Sequence, residues 1–170
     1  VGHQAVDFQL PNVKGGALSL RTALSEGPVV LSFYRGSWCP FCSLELNALQ
    51  ARLPEIIARG ARLVAISPEK PDSSLSHTKK LQLEFDVLTD AGNHTARGYG
   101  LIMTVHEALR PLYLQWGVDL PTTNGDASYE LPVPATYVIA ANGEIRAAYV
   151  DKDYTKRMEP DAIIAALDAL

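Results

Sequence analysis

At 170 residues the chain is long enough to bury one substantial core, and a single domain spanning residues 1–170 is expected. Hydrophobic residues at 47% and charged residues at 20% match an ordinary globular protein, with no apolar run of the roughly eighteen residues that a membrane span needs. A net charge of -4 and the lack of a basic stripe with interleaved aromatics exclude nucleic acid as a partner, and no membrane association is expected.

No charged-then-apolar stretch precedes Val6-Asp7-Phe8, so a targeting peptide is either absent or trimmed away, and the expected compartment is the cytoplasm. Phe8 to Pro11 and Gly15 to Leu20 read as two extended segments around a glycine turn, a hairpin extension at the N-terminus. After Gly27-Pro28, the nearly continuous apolar run Val29 to Tyr34 predicts a central strand covered on both faces. Beyond the two cysteines, Leu46, Leu49, Leu53 and Ile56 recur at helical spacing, with Gly60 as the stop and Pro54 expected to kink the helix. Arg62 to Ser67 predicts a strand, Pro71 to Phe85 a helix, Val87 to Thr89 a short strand and Asn93 to Gly100 another helix. This alternation favours an α/β architecture.

Residues 101–132 break the rhythm. Val105 to Trp116 reads as helical and Pro121 to Pro132 as a polar, proline-bounded loop, so the segment is expected to be an insertion. Its Tyr113 and Trp116 suit an interface or a lid. Ala135 to Ala140 and Glu144 to Val150 flank Asn142-Gly143, a strong hairpin signal, and a final helix is expected from Pro160 to Leu170.

Two cysteines cannot make a disulfide scaffold, so their position matters more than their number. Cys39-Pro40-Phe41-Cys42 lies between a buried strand and an amphipathic helix, which puts both sulfurs in the first helical turn. Unpaired N–H groups and the helix dipole stabilise a thiolate there, and the thiolate is the nucleophile. The i, i+3 spacing lets one sulfur attack the other once the first is oxidised. Pro40 removes an amide near the thiolate, Arg35 is positioned to add positive charge, and Trp38 offers a flat docking surface. His3, His77, His94 and His106 have no paired spacing, so neither a zinc site nor another cofactor is expected.

The segment Ser32 to Glu45, SFYRGSWCPFCSLE, resembles two branches of the thioredoxin superfamily. From Trp38-Cys39 it is similar to thioredoxins and glutaredoxins, in which the first cysteine attacks a disulfide. Val133-Pro134-Ala135-Thr136 resembles their cis-proline segment, while Phe33 stands where thioredoxins carry a buried acid. From Tyr34 the segment resembles peroxiredoxins of the alkyl hydroperoxide reductase and thiol-specific antioxidant family. In that register Arg35 replaces a proline, Cys39 replaces a threonine, Cys42 takes the peroxidatic place and Glu45 matches the glutamate. Pro134 falls where a later arginine holds the peroxide, leaving Arg35 as the electrostatic substitute. The likeness continues through AISPEKPDSS at 65–74, FDVLTD at 85–90, ARGYGL at 96–101 and PATYVIAANGEIR at 134–146.

The resemblance implies a thioredoxin-like fold, a central mixed sheet flanked by helices. It implies a thiol peroxidase cycling Cys39 and Cys42 through a redox disulfide, with a thioredoxin- or glutaredoxin-type reductant and a homodimer as a possible assembly. A thiol-disulfide oxidoreductase is the second reading, and a non-catalytic adaptor, against which the intact pair argues, the third. Thioredoxin logic makes Cys39 the attacking sulfur; the peroxiredoxin register makes it Cys42.

Overall fold

The computed structural model describes residues 1–170. Its centre is a five-stranded sheet in the order β5-β4-β3-β8-β9. These strands are Val29–Phe33 (β3), Arg62–Ser67 (β4), Asp86–Thr89 (β5), Ala135–Ile139 (β8) and Ile145–Val150 (β9). β3, β4 and β5 run parallel, whereas β8 pairs antiparallel with both β3 and β9, so the sheet is mixed. Every residue of β3 is buried, as its unbroken apolar run requires of a strand with both faces covered.

Alternate residues of β3 feed two cores. Val30 packs with Leu46, Leu49 and Leu53 of helix α2 (Pro40–Ala58) and Ile163 of helix α7 (Pro160–Asp168). Leu31 and Phe33 point the other way, onto Phe8, Leu18, Ala23 and Ala96. Each large apolar side chain buried in this way contributes about 1.5–3 kcal/mol. Helix α2 runs through Pro54 to Ala58, and Gly60, at φ 70°, turns the chain into β4.

The N-terminal hairpin forms as expected from Gln9–Pro11 (β1) and Ala17–Ser19 (β2). Leu20, however, begins helix α1 (Leu20–Glu26), whose N-cap Ser19 accepts from the Thr22 N–H. Helix α3 spans Pro71–Lys80 and stops short of Phe85, because Gln82 adopts a left-handed conformation at φ 52°. Lys14 Nζ then ties down the carbonyls of Leu83, Glu84 and Phe85. A 3₁₀ turn and helix α4 (His94–Gly98) occupy the 93–100 region.

The 101–132 segment is more ordered than its sequence announces. It contains β6 (Ile102–Thr104), α5 (Arg110–Gln115), α6 (Leu120–Asn124) and β7 (Glu130–Pro132), with β6 and β7 paired antiparallel. The expected polar loop is thus a helix and a strand, closed around its own small core of Val105, Tyr113, Val118, Leu120 and Leu131. No helix is long and apolar enough to cross a membrane.

Candidate active site

β3 ends at the centre of the sheet and delivers Tyr34 and Arg35 to a short loop that leads into α2. Cys39 is the N-cap of α2, Pro40 its first residue and Cys42 its third. The loop is anchored from β4's side. Buried Glu69 accepts the Ser37 N–H at 3.0 Å and the Ser37 hydroxyl at 2.6 Å, and burial pushes its carboxyl above the usual range. Gly36 sits at φ 148°, and a Cβ there would lie 2.5 Å from the Trp38 indole nitrogen, so only glycine lets that ring fold back over the loop.

Both cysteines are reduced and buried, yet their surroundings differ. Cys39 borders a cavity of about 330 Å³, together with Arg35, Trp38, Phe41, Tyr113 and Tyr154. Hydrogen bonding from the Cys42 thiol lowers the Cys39 pKa to about 6, aided by the Cys42 backbone N–H and the charges of Arg35 and Arg157 and opposed by burial. Cys42 does not border the cavity, is fully buried, and has its thiol pushed well up, first by burial and then by the neighbouring Cys39.

Cys42 instead faces a charged cluster. Arg157 Nη2 lies 3.5 Å from Cys42 Sγ, and Arg157 Nε donates to Glu45 Oε2 at 2.6 Å. The other Glu45 oxygen accepts from the Thr136 hydroxyl at 3.3 Å. Burial raises the Glu45 carboxyl to about 7 despite the guanidinium beside it, while Glu45 and Cys42 together outweigh burial and keep Arg157 charged. The hydrogen bonds are those of an ion pair whose carboxylate burial has made costly, with Arg157 bridging Glu45 and the Cys42 sulfur.

On the cavity side, Arg35 donates to the Tyr113 hydroxyl and lies 4.9 Å from the Trp38 ring centroid and 4.5 Å from that of Tyr154. The sequence-predicted Cys39, Cys42, Arg35, Trp38, Pro40 and Glu45 therefore gather around one helix start. Two expectations change. Pro134 leads into β8 next to the Phe33–Ala135 pairing, but all peptide bonds are trans, so it is not a cis-proline. Arg35 adds positive charge on the Cys39 side, and a second guanidinium, that of Arg157 in the loop after β9, lies beside Cys42. Trp38 is half-buried against Tyr113 rather than presented as a docking surface; Phe41 and Trp116 are the exposed aromatics of the rim.

Arg157 and Tyr154 carried no sequence signal, since they lie more than a hundred residues beyond Cys42 and no spacing links them to it. Tyr113 and Trp116, noted in the insertion, both line the cavity, with ring centroids 5.8 Å apart and planes tilted by 43°.

A model of the AhpC/TSA family matches residues 1–148. The chain belongs to the AhpC/TSA family. Among AhpC/TSA-like structures, peroxidoxin BcpB from Mycobacterium tuberculosis superposes with a TM-score of 0.79 at 22% identity, covering 99% of this chain and 96% of that one. Among curated relatives, the chloroplastic peroxiredoxin Q of Gentiana triflora is 28% identical over 142 residues, 84% of this chain and 55% of that protein. The thiol-disulfide oxidoreductase ResA of Bacillus thuringiensis is 26% identical over 103 residues, 60% of this chain and 58% of that protein. The chain thus spans less than two thirds of the length of these two curated relatives. As expected, the fold is thioredoxin-like, with a central mixed sheet flanked by helices.

Proposed function

We propose that the chain is a thiol-dependent peroxidase in which Cys39 attacks and Cys42 resolves. The observation that carries this reading is the asymmetry of the pair: one thiol, held ionised near neutral pH, borders a cavity, and its partner lies buried one helical turn on. The Cys39 thiolate attacks the terminal oxygen of a hydroperoxide. The O–O bond breaks, Cys39 becomes a sulfenic acid, and the alkoxide leaves and takes a proton as the alcohol, or water when the substrate is hydrogen peroxide. Cys42 then gives up its proton, with Glu45 the neighbouring carboxylate to accept it, and its sulfur displaces hydroxide from Cys39, closing the disulfide and releasing water. An external dithiol of the thioredoxin or glutaredoxin type returns the pair to two thiols.

A thiol-disulfide oxidoreductase is the second reading. It draws on the likeness to ResA and on the fact that the first cysteine, not the second, borders the cavity, as attack on a disulfide requires. Peroxide consumption coupled to a thioredoxin system, measured beside insulin-disulfide reduction, separates the two. Dimedone trapping on Cys39→Ser and Cys42→Ser tests the assignment of roles: Cys42→Ser should form a trapped sulfenic acid and Cys39→Ser should not. The opposite pattern would make Cys42 the attacking sulfur.

A further inference from the structure

The structure holds two arginines beside the cysteine pair, Arg35 buried and Arg157 half-buried, and only the half-buried one has its counter-ion. Arg157 is paired with Glu45 at 2.6 Å. Arg35, only 3% exposed, forms no ion pair; its one side-chain hydrogen bond goes to the neutral Tyr113 hydroxyl, and its Nε is buried without a partner. A buried cation normally costs too much to keep without an anion. Here the ring faces of Trp38, Tyr113 and Tyr154 offset part of that cost, and all three rings, with Arg35 itself, line the cavity over Cys39. The Cys39 thiolate supplies a negative charge nearby, but it is the reacting atom and its charge is lost once the sulfur is oxidised.

We propose that this cavity binds organic anions, and that the substrate is a hydroperoxide with an apolar body and a carboxylate that pairs with Arg35 while the peroxide meets Cys39. The substrate assignment rests on the peroxidase reading; the anion site does not. At about 330 Å³ the cavity falls at the lower end of the roughly 300–1,000 Å³ of small-molecule sites. Its aromatic walls suit an aryl or alkyl body, and the planar guanidinium suits a carboxylate.

The chain's two tryptophans, Trp38 and Trp116, both line the cavity, so intrinsic fluorescence reports on it directly. The reduced protein is titrated with 4-phenylbutyrate and with 4-phenylbutyramide, which share one body and differ in charge. The acid should bind roughly tenfold or more tightly than the amide. Arg35→Gln should bring the ratio close to one, and Arg35→Lys should restore part of it. Equal affinities in the wild type, no response to either probe, or a preference that persists in Arg35→Gln would overturn the anion site. The wild-type comparison stands even where a variant does not fold. In turnover, a fatty-acid hydroperoxide should exceed its methyl ester in kcat/KM by a similar factor, and Arg35→Gln should erase that factor; equal kcat/KM values would refute the substrate assignment. A preference for the acid in binding without any peroxide turnover would end the peroxidase reading and leave the anion site standing. Turnover with equal binding of acid and amide would do the reverse.

Discussion

Cys39 and Cys42 sit three residues apart and meet two different solvents. Cys39 borders an aromatic cavity with an unpaired arginine, whereas Cys42 is enclosed by an arginine already committed to a glutamate. One turn of helix separates a thiol beside a cavity from one buried against an ion pair. The difference shows how a symmetric-looking Cys-x-x-Cys becomes a directional one. Burial raises the inner thiol, and the inner thiol's hydrogen bond lowers the outer one.

The largest test of this contrast is alkylation by iodoacetamide followed by peptide mapping. With a pKa of about 6, Cys39 is mostly thiolate at pH 7, while Cys42 is almost wholly protonated, so their rates should differ by more than roughly a hundredfold. The Cys39 rate should climb through pH 6 and level off above it. Similar rates would abolish the division between the two sides.

Removing the guanidinium from the inner side comes next. Arg157→Met leaves the Glu45 carboxylate buried without its ion partner and should cost about 3–5 kcal/mol in urea unfolding at pH 8. Glu45→Gln combined with Arg157→Met should recover much of that loss. The pH dependence of stability then isolates Glu45. Its folded pKa of about 7 lies above the usual 4.5, so between those values the native state holds a proton that the unfolded chain has lost. Its contribution to stability is therefore complete below pH 4.5 and disappears as pH rises through 7, with a slope of at most roughly 1.4 kcal/mol per pH unit. Glu45→Gln should flatten that slope. The smallest effect belongs to the outer side: Tyr113→Phe removes the hydroxyl bonded to the Arg35 guanidinium and should cost about 1.5–3 kcal/mol. A much larger loss would mean that the cavity wall depends on that bond more than on the stacking of its rings.

Local pattern made much of this molecule legible. β3 was readable because a strand covered on both faces is a continuous apolar run, and the β8–β9 hairpin because Asn142-Gly143 marks its turn. Cys39 and Cys42 share one helix start, so their spacing alone brought them together, whereas Glu45 was named by the resemblance, its helical position reading as the polar face although the structure buries it. Helix α1 escaped because its seven residues carry only two fully buried positions, too few for a period. The β6–β7 pair escaped because its partners are far apart in sequence and three residues long.

The sequence by itself determined that two thiols stand at the start of an amphipathic helix behind a buried strand, the arrangement on which the proposed redox chemistry rests. That follows from backbone geometry, which short-range spacing encodes. Only the tertiary structure decided which thiol faces a cavity, which arginine has a counter-ion, and that Arg157 and Tyr154 reach the pair from the far end of the chain. Those are consequences of desolvation and charge pairing between distant segments, and no local period records which distant side chains will meet.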